Sequence, residues 1–96
     1  MLPHVVRYNA LTAGHLYADL AHCSGMENGE PAAEVLARRV TSLMHSAGLP
    51  TALSQCGVSR GILSLLAEEE SQQWTSRFNP RPVTEAELLR LYEAAW

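Results

Sequence analysis

The sequence predicts an all-α fold, and three observations support this class. No window of four to eight residues alternates apolar and polar positions as a strand would. Apolar residues instead recur at spacings of three and four, which place them on one face of a helix. Glycine and proline separate these stretches. The chain has 96 residues, and 47% of them are hydrophobic. This length and composition predict a single domain, residues 1–96, that folds as a small bundle of about five helices.

The first predicted helix covers about residues 12–24. Leu16, Leu20 and Cys23 follow one another at steps of four and three residues, so they are expected to form its inward face, with Tyr17 and Ala21 beside them. Gly25 comes directly after this stretch and is typical of a helix C-terminus. The polar, glycine-containing stretch that follows is predicted to be an exposed loop.

The second predicted helix begins at Pro31, because a proline in the first turn lacks only an N–H group that would be unpaired there. Gly48 and Pro50 indicate its end. Arg38 and Arg39 mark the face that points to solvent. The apolar face is predicted to contain Val35, Leu36, Val40, Leu43, Met44 and Ala47.

A short apolar turn at residues 51–56 ends at Gly57 and precedes the next predicted helix. Ser59 offers the hydroxyl of an N-cap for that helix. We expect the helix to close at Trp74. Its inward face is predicted to consist of Ile62, Leu65, Leu66 and Glu69.

The last predicted helix has a clear start signal. Pro80 and Pro82 hold the preceding loop extended. Thr84 and Glu87 then have the spacing of a capping box, in which each side chain bonds the backbone N–H of the other residue. The apolar face that follows contains Leu88, Leu91, Tyr92, Ala95 and Trp96.

The composition argues against nucleic acid and membranes as partners. The seven basic residues are all arginine, ten acidic residues outnumber them, and the net charge is -3. No basic stripe of the kind that binds phosphate backbones is present. No apolar run approaches the roughly 20 residues that cross a bilayer.

The N-terminus and the cysteines predict a cytoplasmic location. No charged leader followed by an apolar stretch precedes the first helix, so no secretory signal is visible. Cys23 and Cys56 form no Cys-x-x-Cys motif, and two cysteines are too few for a disulfide scaffold. Both are predicted to be reduced thiols.

Histidine spacing gives little support to a metal site. His15 and His22 would lie on nearly one face of a helix but about 10 Å apart, too far to bind one ion together. Cys23 points away from both. A small independent metalloenzyme using these three residues is therefore only a minor alternative. Cys56 and Ser59 lack the surroundings of a catalytic nucleophile, and no glycine-rich phosphate loop follows a strand. We assign no catalytic, metal-binding or cofactor-binding residue.

Several stretches together resemble a known family. Residues 2–9 read Leu-Pro-His-Val-Val-Arg-Tyr-Asn, and residues 79–84 read Asn-Pro-Arg-Pro-Val-Thr. With residues 17–21, 48–58 and 92–96, they resemble the iron-containing (group III) alcohol dehydrogenases over essentially the whole chain. The first motif is more similar to the alcohol and lactaldehyde reductase branch, and the second to the maleylacetate reductase branch.

The resemblance implies the C-terminal part of the helical domain that is typical of dehydroquinate synthase-like and iron alcohol dehydrogenase proteins. Intact family members carry a nucleotide-binding domain for NAD(P) and hold a divalent metal, iron or zinc, in the helical domain. In the family both the nucleotide loop and the metal ligands lie upstream of the first motif. The resemblance therefore implies that His4 is not a ligand and that this chain is inactive alone.

The same resemblance places one loop near the substrate cleft of an intact enzyme. It implies that Trp74, Thr75 and Phe78 are candidate walls of the substrate pocket. An alternative role for Trp74 is to fill the core. Asn79 and Arg81 are alternatively expected to brace neighbouring helices.

The resemblance also predicts a partner. Leu2, Val5 and Val6 would lie on a helix whose usual neighbours are missing, so they would expose apolar surface. We expect either a complementing nucleotide-binding dehydrogenase subunit or self-association. The alternative function is a helical protein-interaction module that has kept the fold without the enzyme.

Overall fold

The computed structural model describes all 96 residues, which form four α-helices joined by loops and short 3-10 turns. The helices are α1 (Leu2–Cys23), α2 (Ala32–Ser46), α3 (Leu63–Ser71) and α4 (Glu85–Ala95). The 3-10 turns are Leu53–Cys56, Arg60–Ile62 and Trp74–Phe78. The all-α class is confirmed. The expected number of about five helices is corrected to four, because the segments beside α3 wind only into 3-10 turns.

Helix α1 is ten residues longer at its start than predicted. It begins at Leu2 with Pro3 in its first turn, where the missing N–H costs nothing. Its 22 residues give a length of about 33 Å. Gly25 ends it with φ of 68°, a left-handed conformation that glycine adopts without a steric penalty. The predicted end is therefore confirmed and the predicted start is wrong.

The predicted inward face of α1 is correct at Ala21, which is buried, and wrong at its three main residues. Leu16 and Leu20 are 57% and 55% exposed, and Cys23 is exposed. The buried residues of this part of α1 are Ala13 and Ala21. Helix α2 packs on α1, and small side chains allow helix backbones to approach more closely than leucines do. Helix α2 therefore covers Ala13 and Ala21, whereas the neighbouring Leu16 and Leu20 stay exposed.

Helix α2 confirms most of its prediction. Pro31 lies directly before its first residue, and Gly48 follows its end with φ of 68°. Leu36 is buried as expected, together with two alanines. Val35, Val40 and Met44 are half-buried. Leu43 and Ala47, also predicted to face inward, are exposed because they lie at the end of the helix.

Helix α3 is shorter than predicted and faces differently. The Ser59 side chain makes no cap hydrogen bond, and the chain first forms the 3-10 turn Arg60–Ile62. A 3-10 helix has about three residues per turn, whereas an α-helix has about 3.6. The residues that follow this turn therefore point in directions different from those in a continuous α-helix. Leu63 and Ala67 are buried as a result. The predicted inward residues Ile62, Leu65 and Glu69 are exposed, and Leu66 is half-buried.

Helix α4 starts as the sequence predicts. The Thr84 hydroxyl accepts from the Glu87 N–H at 3.3 Å, and the Glu87 carboxylate accepts from the Thr84 N–H at 2.9 Å. The capping box is thus complete. Leu88 and Ala95 are buried, and Leu91 and Tyr92 are half-buried, as predicted. Trp96, predicted to lie on the same face, follows the last residue of the helix and is exposed.

The four helices form two pairs. α1 packs on α2, α3 packs on α4, and the main helix contact between the pairs is that of α1 with α4. The radius of gyration is 14.4 Å, larger than the roughly 12.5 Å of a compact domain of this length. Only 11 of the 96 residues are buried. No helix is both long and apolar enough to cross a membrane.

Candidate functional site

An open cleft of about 420 Å³ lies at the junction of the two helix pairs. Small-molecule sites commonly measure about 300–1,000 Å³. Glu70 is the only formally charged residue in its wall. The lining residues are Val5, Tyr8, Glu70, Thr75, Ser76, Phe78, Asn79, Pro80, Val83, Leu88 and Leu91.

The structure brings two of the three predicted pocket residues into this cleft. Thr75 and Phe78 line it, and Trp74 does not. Trp74 instead packs edge-on against Phe78, with ring centroids 5.5 Å apart and an interplanar angle of 87°. Trp74 is 67% exposed, so the alternative that it fills the core is wrong. Trp74 and Phe78 thus form an aromatic pair on the short turn Trp74–Phe78, and only Phe78 of this pair lines the cleft.

A pair of amides fixes the loop that follows this turn. The side chains of Asn9 and Asn79 bond each other reciprocally, each donating N–H to the other's carbonyl oxygen at 2.8 Å. Asn9 is only 4% exposed. Since a buried amide is costly unless its groups are paired, this contact holds Asn79 firmly against α1.

Arg81 and Tyr8 add a second link between the same segments. The Arg81 guanidinium lies 3.9 Å from the centre of the Tyr8 ring and donates to the Tyr8 carbonyl at 2.9 Å. The Tyr8 hydroxyl donates to the Pro82 carbonyl at 2.8 Å. Burial and the nearby Glu87 carboxylate raise the pKa of Tyr8, which keeps the hydroxyl protonated as a donor.

These contacts confirm that Asn79 and Arg81 brace helices. The partners on α1 were not foreseen individually. Asn9 carried a usable signal, because it is a neutral polar residue with apolar neighbours in a helix. Its partner lies 70 positions away, and local spacing contains no information about such a distant pair.

The residues present do not fit a metal or a nucleotide. No three histidine, cysteine, aspartate or glutamate side chains are placed so that they could hold a metal ion. His22 pairs with Glu27 at 2.9 Å, and this hydrogen bond raises the pKa of His22. Partial burial lowers the pKa of His4. No strand precedes a glycine-rich loop that could cradle a pyrophosphate.

Comparison with known proteins decides the family. The model of the Fe-containing alcohol dehydrogenase family, C-terminal, matches residues 1–96. The chain belongs to this family. Lactaldehyde reductase of Escherichia coli strain K12 is 32% identical over 100 residues, a region that covers all of this chain and 26% of that protein. The 1,3-propanediol dehydrogenase of Citrobacter freundii is 30% identical over 101 residues, with the same coverage.

A solved structure shows the same fold. A crystal structure of a 1,3-propanediol oxidoreductase superposes with a TM-score of 0.87 at 32% identity, over 99% of this chain and 26% of that one. The chain thus spans about a quarter of the length of the relatives that it matches. The predicted resemblance to the C-terminal part of the helical domain is confirmed.

Proposed function

We propose that the chain supplies the C-terminal helical part of an NAD(P)-dependent dehydrogenase. The observation that carries this proposal is the family match over residues 1–96. Nucleotide binding and the divalent metal, iron or zinc, would belong to the portion that precedes this one in family members. The residues of this chain offer no metal group of their own. Its own contribution is therefore to shape the substrate site.

The cleft is the part of the chain that would take this role. Thr75 and Phe78 line it, and the Trp74 ring packs against Phe78. The Asn9–Asn79 pair fixes the end of this turn to α1. Hydride transfer requires that the reacting groups be held in place. A rigid pocket wall would therefore help to position the substrate.

The charge of the cleft favours a neutral substrate. Glu70 is its only charged lining residue, and a carboxylate substrate would be repelled by it. We therefore propose an alcohol or aldehyde substrate, in line with the lactaldehyde reductase and propanediol dehydrogenase relatives. A maleylacetate reductase activity, which the motif at residues 79–84 suggested, would require a dicarboxylate at this wall.

Functional complementation tests the proposal. The chain would be combined with the preceding three quarters of E. coli lactaldehyde reductase in the presence of Fe²⁺ or Zn²⁺. We expect reduced-nicotinamide oxidation with lactaldehyde, little with maleylacetate, and none from either part alone. Faster turnover of maleylacetate would reverse the substrate assignment.

The same experiment addresses the alternative function. A folded complex with no reductase activity towards either substrate would favour a protein-interaction module that has kept only the fold. The proposed partner is a complementing nucleotide-binding portion of the family, and the proposed location is the cytoplasm. Immunolocalisation of the expressed protein would test the location.

A further inference from the structure

A short stretch of the segment between α2 and α3 has no buried residue. Residues 51–58, which we call the strap, contain the 3-10 turn Leu53–Cys56, and all of them are exposed or half-buried. Local hydrogen bonds shape the strap, among them the bond from the Val58 N–H to the Leu53 carbonyl at 3.3 Å. Such bonds fix its internal conformation but do not attach it to the rest of the molecule. Its position therefore depends on contacts that leave the strap.

Trp96, directly after α4, is the partner in every hydrogen bond that leaves the strap. Its indole N–H donates to the Val58 carbonyl at 3.0 Å, and its own carbonyl accepts from the Ser54 hydroxyl at 2.6 Å. The Arg60 guanidinium, just beyond the strap, lies 5.5 Å from the centre of the Trp96 ring, which is within the range of a cation–π contact. One residue thus holds the strap at both Ser54 and Val58.

Opening the strap would cost little more than the loss of the Trp96 contacts. No strap residue is buried, so little apolar surface would be newly exposed. Regions with few buried contacts open at a lower free energy than packed helices. A hydrogen bond shifts such an equilibrium by about two- to tenfold. The Trp96 contacts are therefore large enough to decide between an open and a closed strap.

We propose that the strap is a conformational device that opens and closes as one unit, and that Trp96 is the latch that holds it closed. Residues 47–62 connect α2 to α3. Opening the strap therefore frees the chain connection between the two helix pairs, while the loop at residues 79–82 still joins them. Neither Trp96 nor any strap residue lines the cleft, so the proposal stands whether or not the proposed function is correct.

Amide hydrogen exchange of the full chain, followed by NMR, measures the opening directly. The N–H groups of Gly57 and Val58 bond to carbonyls inside the strap and serve as reporters. Trp96→Phe keeps an aromatic ring beside Arg60 and the backbone carbonyl, but it removes the indole N–H. We expect exchange at both reporters to become about two- to tenfold faster, with the amides of α1 and α2 unchanged.

A second variant tests whether the strap moves as one unit. Ser54→Ala removes the other bond to Trp96 and keeps the backbone carbonyl of residue 54, which pairs with the Gly57 N–H at 3.2 Å. If the strap opens as a unit, exchange at Val58 also becomes about two- to tenfold faster, although its own contact with Trp96 is intact.

Trp74→Ala is the matched control for the loss of a tryptophan. Trp74 is 67% exposed and packs on Phe78, and it makes no hydrogen bond to the strap. This variant should leave the exchange rates of both reporters unchanged, which separates the latch from a general effect of removing an aromatic side chain.

Four results would overturn the proposal. Unprotected reporters in the wild type would show that the strap is not held closed. Reporters that respond to neither Trp96→Phe nor Ser54→Ala would show that Trp96 is not its latch. A Val58 amide that ignores Ser54→Ala would show that the strap does not open as a unit. Equal acceleration of the reporters and of the α4 amides would assign Trp96 a general role in the stability of α4 instead.

Discussion

Asn9 and Asn79 form the contact in which single residues matter most. Each amide satisfies the other, so replacing one by alanine leaves the other unpaired in a partly buried site. We expect Asn9→Ala or Asn79→Ala to lower the free energy of unfolding by about 1–3 kcal/mol. The double variant should cost less than the sum of the two, because the second substitution removes an already unpaired group. Urea denaturation measures all four corners of this cycle.

An exposed asparagine serves as the control for this cycle. Asn28 bonds Glu30 in a solvent-exposed loop, so Asn28→Ala should change the free energy of unfolding by less than about 0.5 kcal/mol. Strictly additive costs for Asn9 and Asn79 would contradict the reciprocal pairing.

The resemblance to the family implied that Thr75 and Phe78 lie near a substrate site, and both line the cleft of this chain. Their part in binding a substrate stays a prediction. Leu16 and Leu20 were predicted to face inward because their spacing places them on one apolar face of a helix. Such a face is expected to pack against another apolar surface. Spacing does not report whether that surface belongs to the same 96 residues. Their exposure therefore shows the limit of the pattern.

The contact between α1 and α2 depends on small side chains. Ala37 is fully buried in α2, and α1 is the helix packed against it. Ala37→Leu should destabilise the chain by about 1–3 kcal/mol, because extra volume in a packed interface forces the helices apart. Ala18→Leu, at an exposed position of α1, should be nearly neutral. Thermal melts of both variants test this; a neutral Ala37→Leu would show that the interface is loose.

The start of α4 should respond to pH through Glu87. Hydrogen bonds from the Thr84 N–H and hydroxyl lower the pKa of Glu87. A carboxyl whose pKa is lower in the folded state stabilises fully above its unfolded pKa, and this stabilisation is lost as the pH falls through the folded value. The wild type should therefore be more stable than Glu87→Gln at pH 7, and this difference in melting temperature should shrink when the pH falls below about 3.

The pH comparison has a simple control and a clear contradiction. Glutamine keeps the capping geometry but does not titrate, so melts of Glu87→Gln give the pH dependence of all other groups. A difference between the two proteins that stays constant from pH 7 to low pH would show that the Glu87 charge does not stabilise α4.

The start or end of a helix could be predicted from sequence where its signal lies within a few neighbouring residues. The capping box needs only residues 84–87 and was predicted correctly. The face of α3 was not, because the 3-10 turn Arg60–Ile62 changes the helical phase. Gly61 indicates a weaker helix at this point, but it does not distinguish a 3-10 turn from an α-helix. The same holds for the start of α1, where Pro3 fits both a loop and a first helical turn.

At the scale of the whole molecule, the two helix pairs are joined mainly by the loop at residues 79–82, which bonds to Tyr8 and Asn9 of α1. The main helix contact between the pairs is the light one of α1 with α4, and weakly coupled regions of a protein open separately. Native-state hydrogen exchange should therefore give different opening free energies for the α1–α2 amides and the α3–α4 amides. Asn79→Ala should widen the gap, because it removes a bond that couples the pairs. One common opening free energy for both pairs, unchanged by Asn79→Ala, would show instead that the light contact is enough to make the chain a single cooperative unit.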